Sequence, residues 1–345
     1  MKRTATVVKH TGSHYLLTEL PEWNLFPAVL RGKIRLKGSS ATNPVAVGDT
    51  VSYEICGEPA EGAEGITATT ENPAVITEVH KRKNYIIRRS TNLSRQAHII
   101  AANVDMAFIV ITLDFPEVKL PFLDRLLVTC EVYNVPVTIV LNKCDLYGDE
   151  HRERLEAFHS IYEGAGYPII EVSAKTGQGI ARLREMLSGK TGTSAHETQE
   201  GTGESSHGDG AKPHIALFSG VSGVGKSSLI KALDPALEPR VGDISEAHLQ
   251  GKHTTTFYEM YNLESGGFII DTPGIRGFGL VDIDRDEIAL YFPEMLEASQ
   301  ECRFTPCTHT HEPGCAVKEA VESGRISVER YSSYLGMLDE EGKYR

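Results

Sequence analysis

Phe218–Leu229 reads FSGVSGVGKSSL, and its G-x-x-x-x-G-K-S spacing sets Gly220, Gly225, Lys226 and Ser227 where a phosphate-binding loop needs them. HIALF before it reads as a short buried strand, and SSLIKAL after it as the start of a helix. Glycine lets a loop wrap so tightly that the backbone N–H groups of Gly220, Val221, Ser222, Gly223, Val224 and Gly225 can face phosphate oxygens. The helix N-terminus at Ser227 and Ser228 adds partial positive charge. Lys226 is placed to reach the β- and γ-phosphates, and the Ser227 hydroxyl to take a position on Mg²⁺. The stretch therefore predicts a nucleoside triphosphate site. A Gly/Ser turn with an incidental lysine leaves the flanking strand and helix unexplained.

Asn142-Lys143-Cys144-Asp145 ends another apolar strand, VPVTIVL. In an N-K-x-D element the Asp145 carboxylate accepts from guanine N1–H and N2–H₂, a donor pair that adenine lacks. Asn142 serves the O6/N7 side and the Lys143 stem packs along the base. Ser173-Ala174-Lys175 ends the next strand, with the Ala174 N–H aimed at O6. In Asp271-Thr272-Pro273-Gly274, Asp271 is suited to hold Mg²⁺ through water and the Gly274 N–H to meet the γ-phosphate. A plain Pro-Gly turn is the competing reading of that last motif. The guanine-reading motifs precede the phosphate loop, the reverse of the usual order, which predicts a circular permutation. Only the meeting of the strand ends in space matters, and the polar stretch at 188–213 lies where the old termini would be bridged.

Cys302, Cys307 and Cys315 cluster with His309 in a C-x₄-C-x-H-x₅-C pattern suited to one structural Zn²⁺, and spacing alone leaves His311 as a rival to His309. Cys56, Cys130 and Cys144 are scattered and read as small packed hydrophobes.

These motifs need a frame. About five short strands separated by Gly-containing turns precede residue 80 and predict a small barrel of OB type; an SH3-like barrel would give the same pattern. From Val104 onward, continuous apolar strands alternate with amphipathic helices, which indicates a parallel sheet covered on both faces. Residues 188–213 are too poor in large apolar side chains to order themselves and read as a linker. Helices are expected over DIDRDEIALYFPEM, AVKEAVESG and ISVERYSSYLGML. The expected fold is thus multidomain α/β: a barrel and basic connector over 1–90, a permuted P-loop GTPase domain over 91–283, and a helical zinc-binding domain over 284–345.

A formal net charge of −12 argues against a chain that merely coats nucleic acid. Basic residues are nevertheless concentrated early, with Lys33 and Arg35 in one cluster and Lys81, Arg82, Lys83, Arg88 and Arg89 in another. They suit a phosphate backbone, or else protect strand edges from pairing. No run reaches membrane-helix length and the N-terminus lacks a signal-peptide core, so a cytoplasmic protein with no membrane partner is expected. Nothing suggests an obligate dimer, and a monomer is expected.

Permuted order, a barrel in front and a Cys₃His module behind together resemble the RsgA/YjeQ family of GTPases that depend on the small ribosomal subunit. The resemblance spans nearly the whole chain and includes GVGKSSL, GKHTTT, DTPGIRGFGL, NKCDL, SAKTGQG and CTHTHEPGCAV. It implies GTP and GDP as ligands, binding to the 30S subunit and its 16S rRNA late in maturation, and hydrolysis linked to release. Ile275 stands where Ras-like enzymes carry a water-orienting glutamine. Sequence and resemblance both point to His253 as the substitute, with Thr254 or Thr255 on Mg²⁺. A GTP-dependent module for a non-ribosomal RNA is the competing reading. The acidic insertion before the P-loop and the loop near Glu58–Pro73 depart from the family pattern, as does Ser-Gly-Val ahead of the second Ser-Gly.

Overall fold

The computed structural model describes residues 3–31, 43–55, 68–89, 97–189, 214–237, 258–272 and 283–343. Five strands come first: β1 (Arg3–Thr11), β2 (His14–Thr18), β3 (Phe26–Leu30), β4 (Thr50–Glu54) and β5 (Ala74–Val79). Gly12, at φ +68°, makes the two-residue turn that folds β2 back on β1. β1 pairs β2, β2 pairs β3, β3 runs parallel to β5, β5 pairs β4, and β4 returns to β1. That closed order, 1-2-3-5-4, is the OB connectivity, and it decides between the two barrels the pattern allowed. Val7, Leu17, Phe26, Val51, Tyr53 and Ile76 fill the interior.

A hairpin follows, β6 (Tyr85–Arg89) and β7 (Ala97–Ala102), standing as its own two-stranded sheet. The expected boundary at 90/91 falls between its strands. Its apolar residues Ile86, Ile87, Ile99 and Ile100 are buried, although the neighbouring cations make the stretch read as a connector.

The α/β unit contains β8 (Met106–Ile111), α1 (Leu120–Val132), β9 (Val137–Leu141), α2 (Arg152–Gly164), β10 (Ile169–Glu171) and α3 (Ile180–Leu187). It continues with β11 (Ile215–Ser219), α4 (Lys226–Leu233), β12 (Glu259–Asn262) and β13 (Phe268–Asp271). The strand order is β10-β9-β8-β11-β13-β12, parallel except for β12. β9 and β11 are buried along their whole length, as expected for strands covered on both faces. The chain moves outward from β8 to β10 and then returns to the sheet centre at β11. The carboxyl ends of β8 and β11 therefore flank a reversal of strand order, where ligands bind in open α/β sheets. β12 also pairs with β1 at Glu259 and Lys9, which makes barrel and sheet one continuous surface of strands.

The C-terminal module has a 3₁₀ stretch over Arg285–Tyr291, then α5 (Pro293–Ser299), α6 (Ala316–Glu322) and α7 (Val328–Lys343). DIDRDEIALYFPEM is therefore two elements: Pro293 occupies the first turn of α5, where its missing N–H costs nothing. Ile288, Phe292, Met295, Val317, Tyr334 and Met337 form a core that Val128 of α1 enters. Arg330 of α7 is 1 % exposed at this junction and reaches Asp124 of α1 at 2.8 Å. Among the described residues no helix is long and apolar enough to cross a membrane.

Candidate active site and metal centre

Three loops meet at the strand reversal, and Asn142 ties them together. Its Nδ2 donates to the Val224 carbonyl at 2.7 Å, and its Oδ1 accepts from the Ala174 N–H at 3.4 Å. The phosphate loop tolerates no side chain at its ends. A Cβ on Gly220 (φ +151°) would lie 2.2 Å from the Val110 carbonyl oxygen. One on Gly225 (φ +96°) would lie 2.5 Å from Asn142 Nδ2. Lys143 is held at φ +65°, a strained backbone for a non-glycine residue, and its Nζ donates to the carbonyls of Gly223, at 2.8 Å, and Phe115. Ser173 Oγ donates to Asp145 Oδ1 at 2.6 Å, while Lys175 Nζ lies 3.9 Å from Asp145 Oδ2. The Cys144 N–H donates to the Val172 carbonyl at 3.1 Å, so the NKCD and SAK loops share backbone as well as side-chain bonds.

Tyr147 escaped the sequence reading. Its hydroxyl donates to the Asn142 carbonyl and accepts from the Leu113 N–H, both at 2.9 Å, bracing the NKCD loop against the end of β8. Burial pushes this phenol up to about 12. A tyrosine two residues beyond Asp145 carries no motif, so no sequence signal marks it.

Across the reversal, Lys226 is buried at the start of α4 and donates to the carbonyls of Gly220 at 2.6 Å and Val221 at 3.1 Å. Burial lowers its pKa, and the charge of Asp271 opposes that. Asp271 ends β13, and burial, partly offset by Lys226, pushes its carboxyl up to about 6. Its Oδ1 is buried with no hydrogen-bond partner, which suits a cation or its hydration shell. Thr272 Oγ1 donates to the Phe218 carbonyl at 2.7 Å and locks this strand end to the root of the phosphate loop. Ser227 is half-buried and Ser228 exposed in the first turn of α4; Ser222 and Gly223 are exposed at the loop crest. His253, Thr254, Thr255 and Gly274 lie outside the described residues.

Of the basic residues, Lys33 and Arg35 also lie outside the described residues, and Arg88 and Arg89 are placed only as backbone in β6. Lys81 is exposed and Lys83 pairs with Asp105. The expectation for Arg82 needs correction. Its guanidinium forks onto buried Asp49 at 2.6 and 2.7 Å and also donates to the Pro44 carbonyl at 3.2 Å. This arginine's guanidinium is engaged in bracing the segment ahead of β4, which leaves it no free fork for a phosphate backbone.

In the C-terminal module, one ligand atom each from Cys302, Cys307, His309 and Cys315 lies within 4.8 Å of the others. A tetrahedral zinc with bonds of about 2.3 Å to sulfur and about 2.0 Å to nitrogen implies edges of about 3.8 Å between sulfurs and about 3.5 Å from sulfur to nitrogen. The Cys302–Cys315 separation is 3.9 Å, and His309 Nδ1 lies 3.6 and 3.4 Å from those two sulfurs. The donor set fits one structural zinc. His311 stays exposed, 2.9 Å from Thr310 Oγ1, so the geometry favours His309. Tyr331 and Tyr334 of α7 donate to the carbonyls of His309 and Thr308 at 2.6 and 2.7 Å. Glu312 accepts from the Thr308 N–H at 2.8 Å, the Thr308 hydroxyl at 2.6 Å and the Thr310 N–H at 3.1 Å. These outer bonds set the loop at φ +55° for His309. The purified protein is expected to carry one zinc per chain by elemental analysis. Cys315→Ser and His309→Ala should lose it while His311→Ala keeps it; a zinc-free wild type or a zinc-free His311→Ala would contradict the assignment.

The family model for the RsgA GTPase matches residues 79–208 and 195–281. The chain is 45% identical over 341 residues to "Small ribosomal subunit biogenesis GTPase RsgA 2" of Bacteroides thetaiotaomicron, covering 98% of each chain. It is 44% identical over 342 residues to the RsgA protein of Porphyromonas gingivalis, covering 98% of this chain and 97% of that one. The solved structure of YjeQ from Thermotoga maritima superposes with a TM-score of 0.71 at 31% identity, over 99% of this chain and 98% of the other. That of YloQ, described as a circularly permuted GTPase, gives 0.69 at 25% identity, over 100% and 96%. Motif order, closed barrel and similarity along nearly the full length agree, and the chain belongs to the RsgA GTPase family.

Proposed function

We propose that this GTP-hydrolysing protein binds the small ribosomal subunit and acts late in its maturation, with cleavage of GTP to GDP and phosphate timing its release. The observation that carries the reading is Asn142, which bonds the NKCD and SAK loops to the phosphate loop and so supports their acting as one site. In this site Asp145 and Ala174 select guanine, Lys143 flanks the base, and Gly220–Ser228 grip the phosphates with Lys226 at the β/γ bridge. Ser227, Asp271 and Thr255 would hold Mg²⁺, whose charge, when bound, neutralises the oxygens of the transferring phosphoryl group. His253 orients the attacking water, and Gly274 senses the γ-phosphate. Lys33, Arg35, Lys81, Lys83, Arg88 and Arg89 present the barrel side to 16S rRNA, and the protein works as a cytoplasmic monomer.

The relatives named for small ribosomal subunit biogenesis support the choice of partner. The test is GTP hydrolysis with isolated 30S, 50S and 70S particles. Stimulation is expected with 30S alone, and His253→Ala should lose it while retaining GTP affinity. Equal rates with all three particles, or full stimulation of the His253→Ala variant, would refute the respective claims.

A further inference from the structure

A row of paired residues crosses the sheet from the barrel into the phosphate site. Lys9 of β1 is the register partner of Glu259 in β12, Glu259 of Asp271 in β13, and Asp271 of Phe218 in β11. Residues directly opposite on neighbouring strands project to the same face, so Lys9, Glu259 and Asp271 stand side by side. Lys9 Nζ donates to Glu259 Oε1 at 2.7 Å, an ion pair across the β1–β12 seam in a partly sheltered setting where the side chains are 18% and 26% exposed.

The opposite face of the same junction carries aromatic packing. Trp23, from the loop after β2, stacks on Phe268 at the start of β13, with ring centroids 5.4 Å apart. Tyr258, buried just before β12, lies 6.3 Å from the ring of His98, which lies 5.9 Å from His10 of β1. β12 is thus one strand wide, with the barrel on one edge and the strand of Asp271 on the other. The C-terminal module, by contrast, docks on α1 through Arg330 and Asp124, in the half of the domain that carries NKCD.

We propose that Lys9 and Glu259 are positioning residues for GTP hydrolysis. They fasten the first barrel strand to β12 and thereby hold Asp271 at its depth beside Lys226. The barrel then completes the phosphate site as well as offering a surface to a partner, and a load on the barrel is felt first at Asp271. The proposal rests on the reading of Asp271 and Lys226 as phosphate-site groups.

The test uses the full chain as wild type, Lys9→Ala, Glu259→Ala, the double variant and Lys9→Arg. Steady-state GTP hydrolysis is measured across a Mg²⁺ titration, alongside GDP affinity and thermal unfolding. Each alanine variant should lower kcat about tenfold, within the range that small misplacements of catalytic groups produce. Each should also need more Mg²⁺ for half-maximal rate, with KM for GTP and the affinity for GDP held within about twofold. The double variant should be no slower than either single one, because the two residues act as a unit, and Lys9→Arg should match wild type. Single variants with wild-type kcat and Mg²⁺ dependence would overturn the proposal, as would losses that multiply in the double variant. A rate loss that tracks unfolding would overturn it too, by assigning the pair to folding alone. A wild type that hydrolyses no GTP under any condition would instead sink the underlying functional reading, and this proposal with it.

Discussion

Arg330→Ala is expected to destabilise the protein by about 3–5 kcal/mol, the loss typical of a buried ion pair deprived of one partner. Arg330 Nη1 donates to Asp124 at 2.8 Å, and Nε and Nη2 donate to the two oxygens of Glu294 at 2.7 and 3.1 Å. The guanidinium also lies 4.5 Å above the ring of Phe292, and the Tyr162 hydroxyl donates to the same Asp124 oxygen at 2.9 Å. Truncation leaves two carboxylates, 0% and 8% exposed, with no cation between them. Burial already pushes the Asp124 carboxyl up with the arginine present. In the variant the Asp124 carboxyl, deprived of the charge that holds it down, must rise further above its unfolded value. The destabilisation is therefore full at neutral pH and shrinks as pH falls toward about 4, where the unfolded carboxylates also take up protons. Arg330→Lys should recover only part of the loss, since an ammonium cannot fork onto Glu294 while reaching Asp124. Urea unfolding at pH 7 and pH 5 measures both effects. A loss below about 1 kcal/mol at pH 7 would place Arg330 among the inexpensive surface pairs, against its burial.

The sequence announces what local backbone constraint dictates, and stays silent on what distant partners decide. Gly220, Gly225 and Lys226 could be read directly because a phosphate loop needs those residue types at that spacing. The barrel's strand count was equally legible, but its closure through the parallel pairing of β3 with β5 was not, since register joins segments far apart in the chain. Arg82 looks like surface charge until Asp49, 33 residues earlier, turns it inward. Arg330 lies in an ordinary amphipathic helix, and its acceptor Asp124 is 206 positions away. The β6–β7 hairpin was hidden because lysines and arginines crowd a short isoleucine pair, masking the alternation that marks a strand. Zinc spacing left two histidines in contention; the backbone turn at His309, held by Tyr331 and Glu312, distinguishes them. Each of these gaps concerns a partner choice made by tertiary packing. Residue type and spacing could not resolve it.

Asp145→Asn should abolish the preference for guanine and create one for xanthine. In the proposed guanine site the carboxylate offers two acceptor oxygens to the N1–H and N2–H₂ edge of the base. An asparagine offers one acceptor and one amino donor, which sets donor against donor. Each hydrogen bond to a charged group contributes about 1.5–3 kcal/mol, so loss of the pair predicts a fall in GTP affinity of about a hundredfold or more. Xanthine carries a carbonyl where guanine has its amino group, and the new amide can donate to it. Xanthosine triphosphate should therefore bind the variant more tightly than GTP. The Ser173 hydroxyl, now 2.6 Å from Asp145 Oδ1, can still donate to the amide oxygen, so the loop between NKCD and SAK should keep its shape. That makes the substitution a test of recognition without collapse of the site. Competition binding with GTP, ATP and xanthosine triphosphate reads it directly, with thermal unfolding as the check on folding. Retained GTP affinity in a folded variant would mean that Asp145 does not face the base, and the guanine pocket would have to lie elsewhere.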